Sequence, residues 1–368
     1  MYRHIEKFMN IRPVKNILSL ITVFFFLIPL KAQTIEGKVY DAHSKEALPG
    51  VFIYLNGTSV STSSDSNGNF RLVVADRIRT PLVFNLSGYE PLIIENPFEY
   101  PEKSFFLQEK TVTLQETVIV ADRFSRDQKI KAFKEQFLGD GRAGKSCAIL
   151  NEEDLVIKYD PVENRLMAFS INPLIIKNDY LAYLVTFDLH RFSIQYTRYT
   201  LSKPYIKQLS FTGTSSFVDE NPFNLKIAKR RDEKYFQSRQ YFWKNLVANT
   251  LEKASIKIYN GPGQTEPGRH FIISDTLHHS LLCIKPDANL NRIRNNVIDT
   301  TAFGIITVLY NNRLSSDIVF MTGQVSVDKF GNIDAVDKIR FTGTMGKQRI
   351  GDMLPGNYTP IRPLPLRQ

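Results

Sequence analysis

Four stretches of the chain bring together side chains whose types could do chemistry. Ser64 to Phe70 reads SDSNGNF, with one carboxylate, two amides and a glycine in seven residues. A calcium loop of the EF-hand kind takes oxygens from positions 1, 3 and 5, a glycine at 6 and a bidentate glutamate at 12. Counted from Asp65, the glycine falls at position 4 and position 12 is Asp76, so the spacing does not fit. The same Asp-x-x-Gly-Asn pattern recurs at Asp328 to Asn332, again between alternating apolar runs. A turn needs only an aspartate that accepts from its own backbone and a glycine at positive φ. Both stretches are predicted to be hairpin turns.

His43 and Glu46 stand at a His-x-x-Glu spacing used in zinc peptidases. Such a site also needs a distant histidine and a catalytic glutamate on a larger scaffold, so these residues read as a solvated turn. His278 and His279 are adjacent; on a strand they would point to opposite faces, and one metal could not easily use both. His190 and His270 lie in alternating stretches and could join either. Cys147 and Cys283, 136 positions apart, are compatible with a disulfide and with two free thiols. There is no G-x-S-x-G, no H-E-x-x-H and no phosphate-binding glycine loop. A glycosidase pair stays open, but nothing nominates two of the scattered carboxylates. The sequence assigns no catalytic residue, no metal and no cofactor.

The fourth stretch is basic. Lys226, Lys229, Arg230, Arg231 and Lys234 open the clearest helical pattern, with Arg239 and Lys244 following. They read as a solvated face or as a surface for anionic ligands, either lipopolysaccharide phosphates or lipid headgroups. The aromatics of residues 180–243 could stack on sugars, yet they follow strand or helix period and read as core.

The elements that must position these groups begin after a leader. Arg3, Lys7, Arg12 and Lys15 precede the apolar run Ile17 to Leu30, and the small Ala32 follows, the pattern of a secretory signal peptide. Of the formal charge of +10, the leader holds five basic residues and one acidic, so the remainder carries about +6. That excess is modest and is no argument for nucleic acid. From Thr34 to Leu107, short alternating runs recur about every ten residues, with Asn56-Gly57 as a strong hairpin dipeptide. They predict a small antiparallel β-sandwich.

Gly37, Val39 and Asp41, then Leu48-Pro49-Gly50-Val51, Gly57-Thr58, Asp65 with Gly68 and Phe70, and Gly88-Tyr89 follow in an order and spacing that resemble the carboxypeptidase-regulatory-like domain. That domain is a transthyretin-like sandwich common at the front of Bacteroidetes envelope proteins, and the resemblance is to the non-catalytic accessory part of carboxypeptidases. Something like the connector Thr111 to Arg123 follows this sandwich in TonB-dependent receptors, but too few residues remain for their long barrel. Residues 125–138 predict a helix capped by Ser125, with Ile130, Phe133 and Phe137 on one face. Residues 154–170 predict a hairpin around Asp160-Pro161, and residues 180–196 a strand. Residues 231–253 predict one long amphipathic helix, and strands return after the loop at 260–268. Through Phe137-Leu138-Gly139, Cys147 to Asn151, Tyr235 with Phe242, and Asp352 to Pro355, this half resembles the uncharacterised region that often follows the sandwich in Bacteroidetes proteins.

The expected architecture is mainly β: a signal peptide at 1–32, a sandwich at 33–110, a linker at 111–126 and an α+β domain at 127–368. The expected function is that of an exported, non-enzymatic envelope protein, periplasmic or associated with the outer membrane. Its partner would be a protein or a glycan, with contact to anionic lipid or lipopolysaccharide. The alternatives are an accessory carbohydrate-binding protein of a polysaccharide-uptake system and a hydrolase whose site is assembled from distant residues.

Overall fold

A computed structural model describes residues 33–110, 123–276, 278–286 and 302–361. The leader and most of the expected linker lie outside the described residues. The chain is rich in strands, with few helices, as the alternating apolar patterns predict.

Seven strands build the sandwich: β1 (Gln33–Asp41), β2 (Phe52–Leu55), β3 (Ser61–Ser63), β4 (Asn69–Val74), β5 (Leu82–Asn85), β6 (Leu92–Ile94) and β7 (Ser104–Leu107). One sheet has the order β4-β1-β7 and the other β3-β2-β5-β6. The alternation seen in sequence sets which side chains face inward: Phe70, Leu72 and Val74 of β4 are buried while their neighbours are exposed. They meet Val39, Ile53, Leu55, Phe84, Phe105 and Leu107 in one apolar core. One pairing differs from the antiparallel expectation. The chain crosses from β6 back to the first sheet, so β7 runs parallel to β1.

The second domain starts with helix α1 (Arg126–Phe137), whose N-terminus is closed by a reciprocal capping box between Ser125 and Gln128. A short helix α2 (Arg142–Lys145) precedes β8 (Cys147–Ile149), β9 (Leu155–Asp160), β10 (Arg165–Ser170), β11 (Leu174–Asn178), β12 (Tyr183–Tyr196) and β13 (Ile206–Asp219). These six strands form one sheet, with β10 and β11 sharing one edge of the long β12 and β13 lining the other. β12 buries Tyr183, Val185, Phe187 and Leu189, passes a register shift at His190, and then buries Phe192, Ile194 and Tyr196. A bulge of this kind re-aims the strand without losing its apolar face. Phe133 and Phe137 of α1 pack on that face, with ring centres 4.6 Å from Phe192 and 5.2 Å from Phe187.

The single helix expected over 231–253 is two helices. α3 (Leu225–Tyr235) ends at Phe236, and α4 (Arg239–Val247) restarts after Ser238, whose side chain accepts from the Tyr241 N–H. The apolar spacing of seven from Tyr235 to Phe242 suits one helix or two, and the serine cap decides for two. α4 buries Tyr241, Phe242, Trp243 and Leu246 against the remaining strands. These are β14 (Ile256–Asn260), β15 (Gly263–Thr265), β16 (Phe271–Asp275), β17 (His279–Ile284), β18 (Gly304–Tyr310), β19 (Leu314–Phe320), β20 (Gln324–Asp328) and β21 (Ile339–Phe341). They form a sheet ordered β15-β14-β18-β19-β21 and a smaller one ordered β16-β17-β20. One continuous core runs through this second domain.

Candidate functional site: the cleft between the two domains

The sandwich is joined to the second domain at a turn that the sequence marked for another reason. Asn56-Gly57 closes the β2–β3 hairpin as predicted, and it also docks on β13. The Gly57 N–H donates to the Ser215 carbonyl at 2.6 Å, and the Ser215 N–H donates to Asn56 Oδ1 at 2.9 Å. Phe217 N–H donates to the Thr58 carbonyl at 2.9 Å, which makes a parallel bridge between Thr58 and Ser216. The Gly57 carbonyl accepts from Gly356 N–H at 2.6 Å. Beside this joint, Asn85 of the sandwich donates to Asp188 at 3.0 Å.

A second contact lies at the Asp328 turn. Asp328 Oδ1 accepts from the N–H groups of Phe330 and Asn332, and Oδ2 accepts from the Arg79 N–H of the sandwich at 3.1 Å. Arg79 pairs with Asp334 at 3.3 Å, Lys329 pairs with Asp76, and the Phe330 ring packs on the sandwich core. Asp65 is wired in the same way, its Oδ1 accepting from the N–H groups of Asn67 and Asn69. Those donors, Asn69 first, hold the Asp65 carboxyl below the usual carboxylate range. Gly68 and Gly331 sit at φ +77° and +89°, where a side chain would be strained, and a Cβ on either would strike backbone, Val39 O or Gln240 O. Both stretches are turns. The first is not a simple hairpin, because β3 and β4 belong to opposite sheets of the sandwich.

Beside the Asp328 contact open two adjoining clefts of about 310 Å³ and about 440 Å³. Arg77, Thr276, His278 and His279 line both. The smaller cleft adds Glu95, Asn96, Phe98 and Glu99 from the sandwich, and the larger adds Asp76, Asp275 and Lys329. Arg77 lies over the Phe98 ring at 5.4 Å, and Thr276 Oγ1 is 3.1 Å from His279 Nδ1. Both His278 and His279 thus border the clefts, and the strand alternation expected for the pair does not apply to them. Alternation holds only inside a strand, and His278 lies ahead of β17, which begins at His279. Cationic, anionic and amide groups with one aromatic wall suit a polar ligand with both donors and acceptors. Among the described residues, no group of three His, Cys, Asp or Glu is placed to hold a metal ion.

The other sequence candidates are scattered. His43 and Glu46 are exposed in a turn where Asp41 Oδ1 accepts from the His43 and Ser44 N–H groups. Cys147 and Cys283 are free thiols, and burial pushes the Cys147 thiol up to about 12. The basic stretch divides by helical face. Arg231 is buried, its guanidinium bidentate to Asp219 at 2.6 and 2.7 Å and donating to the carbonyls of Leu181 and Ala182. Lys234 pairs with Asp352, and Arg230 donates to the Tyr180 carbonyl. Only Lys226 and Lys229 of the five are fully at the surface. The aromatics of 180–243 are largely core: Tyr183, Phe187, Phe192, Tyr196, Phe217, Tyr235, Phe242 and Trp243 are all buried. The sequence reading missed Arg77, Glu95, Phe98 and Glu99; no local signal marks a loop residue as lining an interdomain cleft.

A family model described as the CarboxypepD_reg-like domain matches residues 35–119. The sandwich is a carboxypeptidase-regulatory-like domain. The regulatory-like domain thus supplies one wall of the cleft, and the match is to a regulatory, non-catalytic type of domain. No curated protein matches the chain. Among solved structures, a 9R-lipoxygenase from Cyanothece PCC8801 aligns with 64% of this chain and 53% of its own at 9% identity, with a TM-score of 0.16. The chain spans about half the length of that enzyme, and a likeness at this score carries no argument about fold or function. Among the described residues, no helix is long and apolar enough to cross a membrane.

Proposed function

We propose that the chain is an exported, non-enzymatic cell-envelope protein that holds a polar ligand in the cleft between its regulatory-like and second domains. The ligand is an extended segment of a partner protein or a glycan. The observation that carries this reading is the Asp328 contact, whose hydrogen bond to the Arg79 N–H and ion pairs join the two walls of the cleft. A preformed site loses less entropy on binding than one that must close. The basic leader with its apolar run supports export. The burial of the aromatics at 180–243 weighs against a separate sugar-stacking platform there.

A photoreactive amino acid placed at Glu99, in cells making the protein, should give one discrete adduct that Arg77→Ala weakens. The same probe at Lys158, which does not line the cleft, should give none. Identical adducts from both positions would remove the cleft as the binding site. N-terminal sequencing of the protein from the envelope fraction should begin near Gln33; a cytoplasmic chain that keeps Met1 overturns export.

A hydrolase is the second reading, favoured by one observation: Glu95, Glu99, His278 and His279 line the same cleft. Acid–base chemistry by such groups would be lost in both His279→Ala and Glu99→Gln. Turnover of envelope peptides or glycans that is absent in both variants would move this reading to first place.

A further inference from the structure

The segment from the end of β13 to the start of α3 carries exposed apolar side chains. Phe223 is 95% exposed and Leu225 67%, with Val218 at the end of β13 at 50%. A lone exposed apolar residue is ordinary, but three within eight positions at one tip are a feature to be explained. Lys226 and Lys229 stand on the outer face of α3 beside them, exposed and without an ion-pair partner among the described residues. The tip is tied to the neighbouring loop by the Glu220 N–H, which donates to the Ala182 carbonyl. In that loop the Tyr180 ring lies between Arg230 and Arg142, with ring centre distances of 4.7 Å and 5.2 Å. The acidic groups in the same elements are Glu220, Asp219, which pairs with Arg231, Asp179, which pairs with Lys177 at 3.4 Å, Asp232, which accepts from the Tyr358 hydroxyl, and Glu233 one turn further along α3.

We propose that this tip docks the protein on an anionic bilayer surface, with Phe223 and Leu225 entering the acyl boundary and Lys226 and Lys229 meeting the lipid phosphates. Two features choose a bilayer over a protein partner. Phe223 and Leu225 lie in or beside the turn into α3, are 95% and 67% exposed and line neither of the two clefts, so a deformable surface accepts them where a packed interface would leave voids. The free cations flank the apolar tip, the order in which headgroups and acyl chains are met on entering a membrane. Long lysine side chains can keep their charge at headgroup level while the tip sits deeper. The rest of the basic stretch is engaged within the protein, since Arg231 and Lys234 are used in internal ion pairs and Arg230 donates to the Tyr180 carbonyl. This inference does not depend on the cleft, and either can fail without the other.

The test is flotation of the chain from Gln33 onward, which carries every described element and lacks the apolar leader. Vesicles of phosphatidylglycerol and phosphatidylethanolamine should bind it, and vesicles of phosphatidylcholine alone should bind it much less. Phe223→Ser with Leu225→Ser should lower the partition coefficient by at least about tenfold, because two apolar side chains no longer leave water. Lys226→Glu with Lys229→Glu should weaken binding and flatten its salt dependence. Both pairs should keep the parent melting temperature, since none of these side chains belongs to a core. Absence of binding to anionic vesicles, or binding unchanged in both pairs, overturns the proposal. So does a parent chain that self-associates without lipid and becomes monomeric in Phe223→Ser, since the tip would then be an interface between copies.

Discussion

The Tyr54 hydroxyl lies 2.7 Å from Thr214 Oγ1, although the two residues belong to different domains and stand 160 positions apart. Both are buried, and burial pushes the Tyr54 phenol up to about 12, so it keeps its proton in ordinary buffers. Removing one partner strands the other without water. Tyr54→Phe and Thr214→Val should each cost about 1–3 kcal/mol in urea unfolding. The double variant should cost less than the sum, because no unpaired hydroxyl is left. Strict additivity would show that the two groups do not support one another.

The same joint governs what proteolysis releases. Arg126 opens α1 and its guanidinium donates to the carbonyls of Glu152 and Leu155, so trypsin should cut there slowly. Arg123 is held by Tyr199 through two hydrogen bonds and a guanidinium–ring contact at 4.3 Å. A chain nicked within 111–123 should still elute from gel filtration as one particle. Elution of a free sandwich would show that the joint does not hold without the covalent connection.

The two aspartate turns should respond unequally. Chelator should leave the melting temperature of the protein unchanged, and a rise with calcium would revive the metal reading. Asp65 is exposed and serves its own turn, so Asp65→Ala should lower the melting temperature only slightly. Its depressed pKa makes its contribution present above the usual carboxylate range and lost as the pH falls. Asp328 is buried and also receives the Arg79 N–H from the other domain. Asp328→Ala should cost about 1–3 kcal/mol, the range for buried donors left unpaired.

Helix α4 anchors the second core. Phe242 is fully buried and its ring centre is 5.0 Å from that of Trp243. Phe242→Ala should cost about 3–5 kcal/mol by the cavity it leaves. Ser238→Ala, which removes the cap and no core atom, should cost about 1 kcal/mol. Equal effects in thermal unfolding would show that the break between the helices, rather than the packing, limits stability.

The interface also has a titratable group. His190 Nε2 lies 3.6 Å from Asp188 Oδ2, the carboxylate that receives Asn85. Hydrogen bonding to Asp188 raises the His190 pKa, against burial and the nearby Lys110 charge. A raised folded-state value means stabilisation that is full below the ordinary histidine value and is lost as the pH rises through the folded one. His190→Gln should flatten the stability profile just above the ordinary histidine value. The side chain is partly exposed, so the effect should shrink with added salt.

Much of the fold is legible in the sequence because its signals are local. Ser125 and Gln128 form a capping box within four residues, Asp65 and Asp328 accept from N–H groups two and four positions on, and Asp160 accepts from those two and three positions on in its hairpin. Alternation from Tyr183 to Leu189 is enough to choose the buried face of β12. What tertiary structure alone decided is who meets whom. Asn56-Gly57 reads as a turn, but the donors and acceptors of any turn look alike in sequence, and nothing local points to Ser215. Arg231 and Lys229 are both basic residues of one helix; a core-facing position and the carboxylate of Asp219 bury the first and leave the second in water. His278 and His279 line a cleft because loop residues of the sandwich stand opposite them. Backbone periodicity assigns faces, whereas a cleft needs two surfaces brought together from distant parts of the chain, and that information lies in packing rather than in any short run of residues.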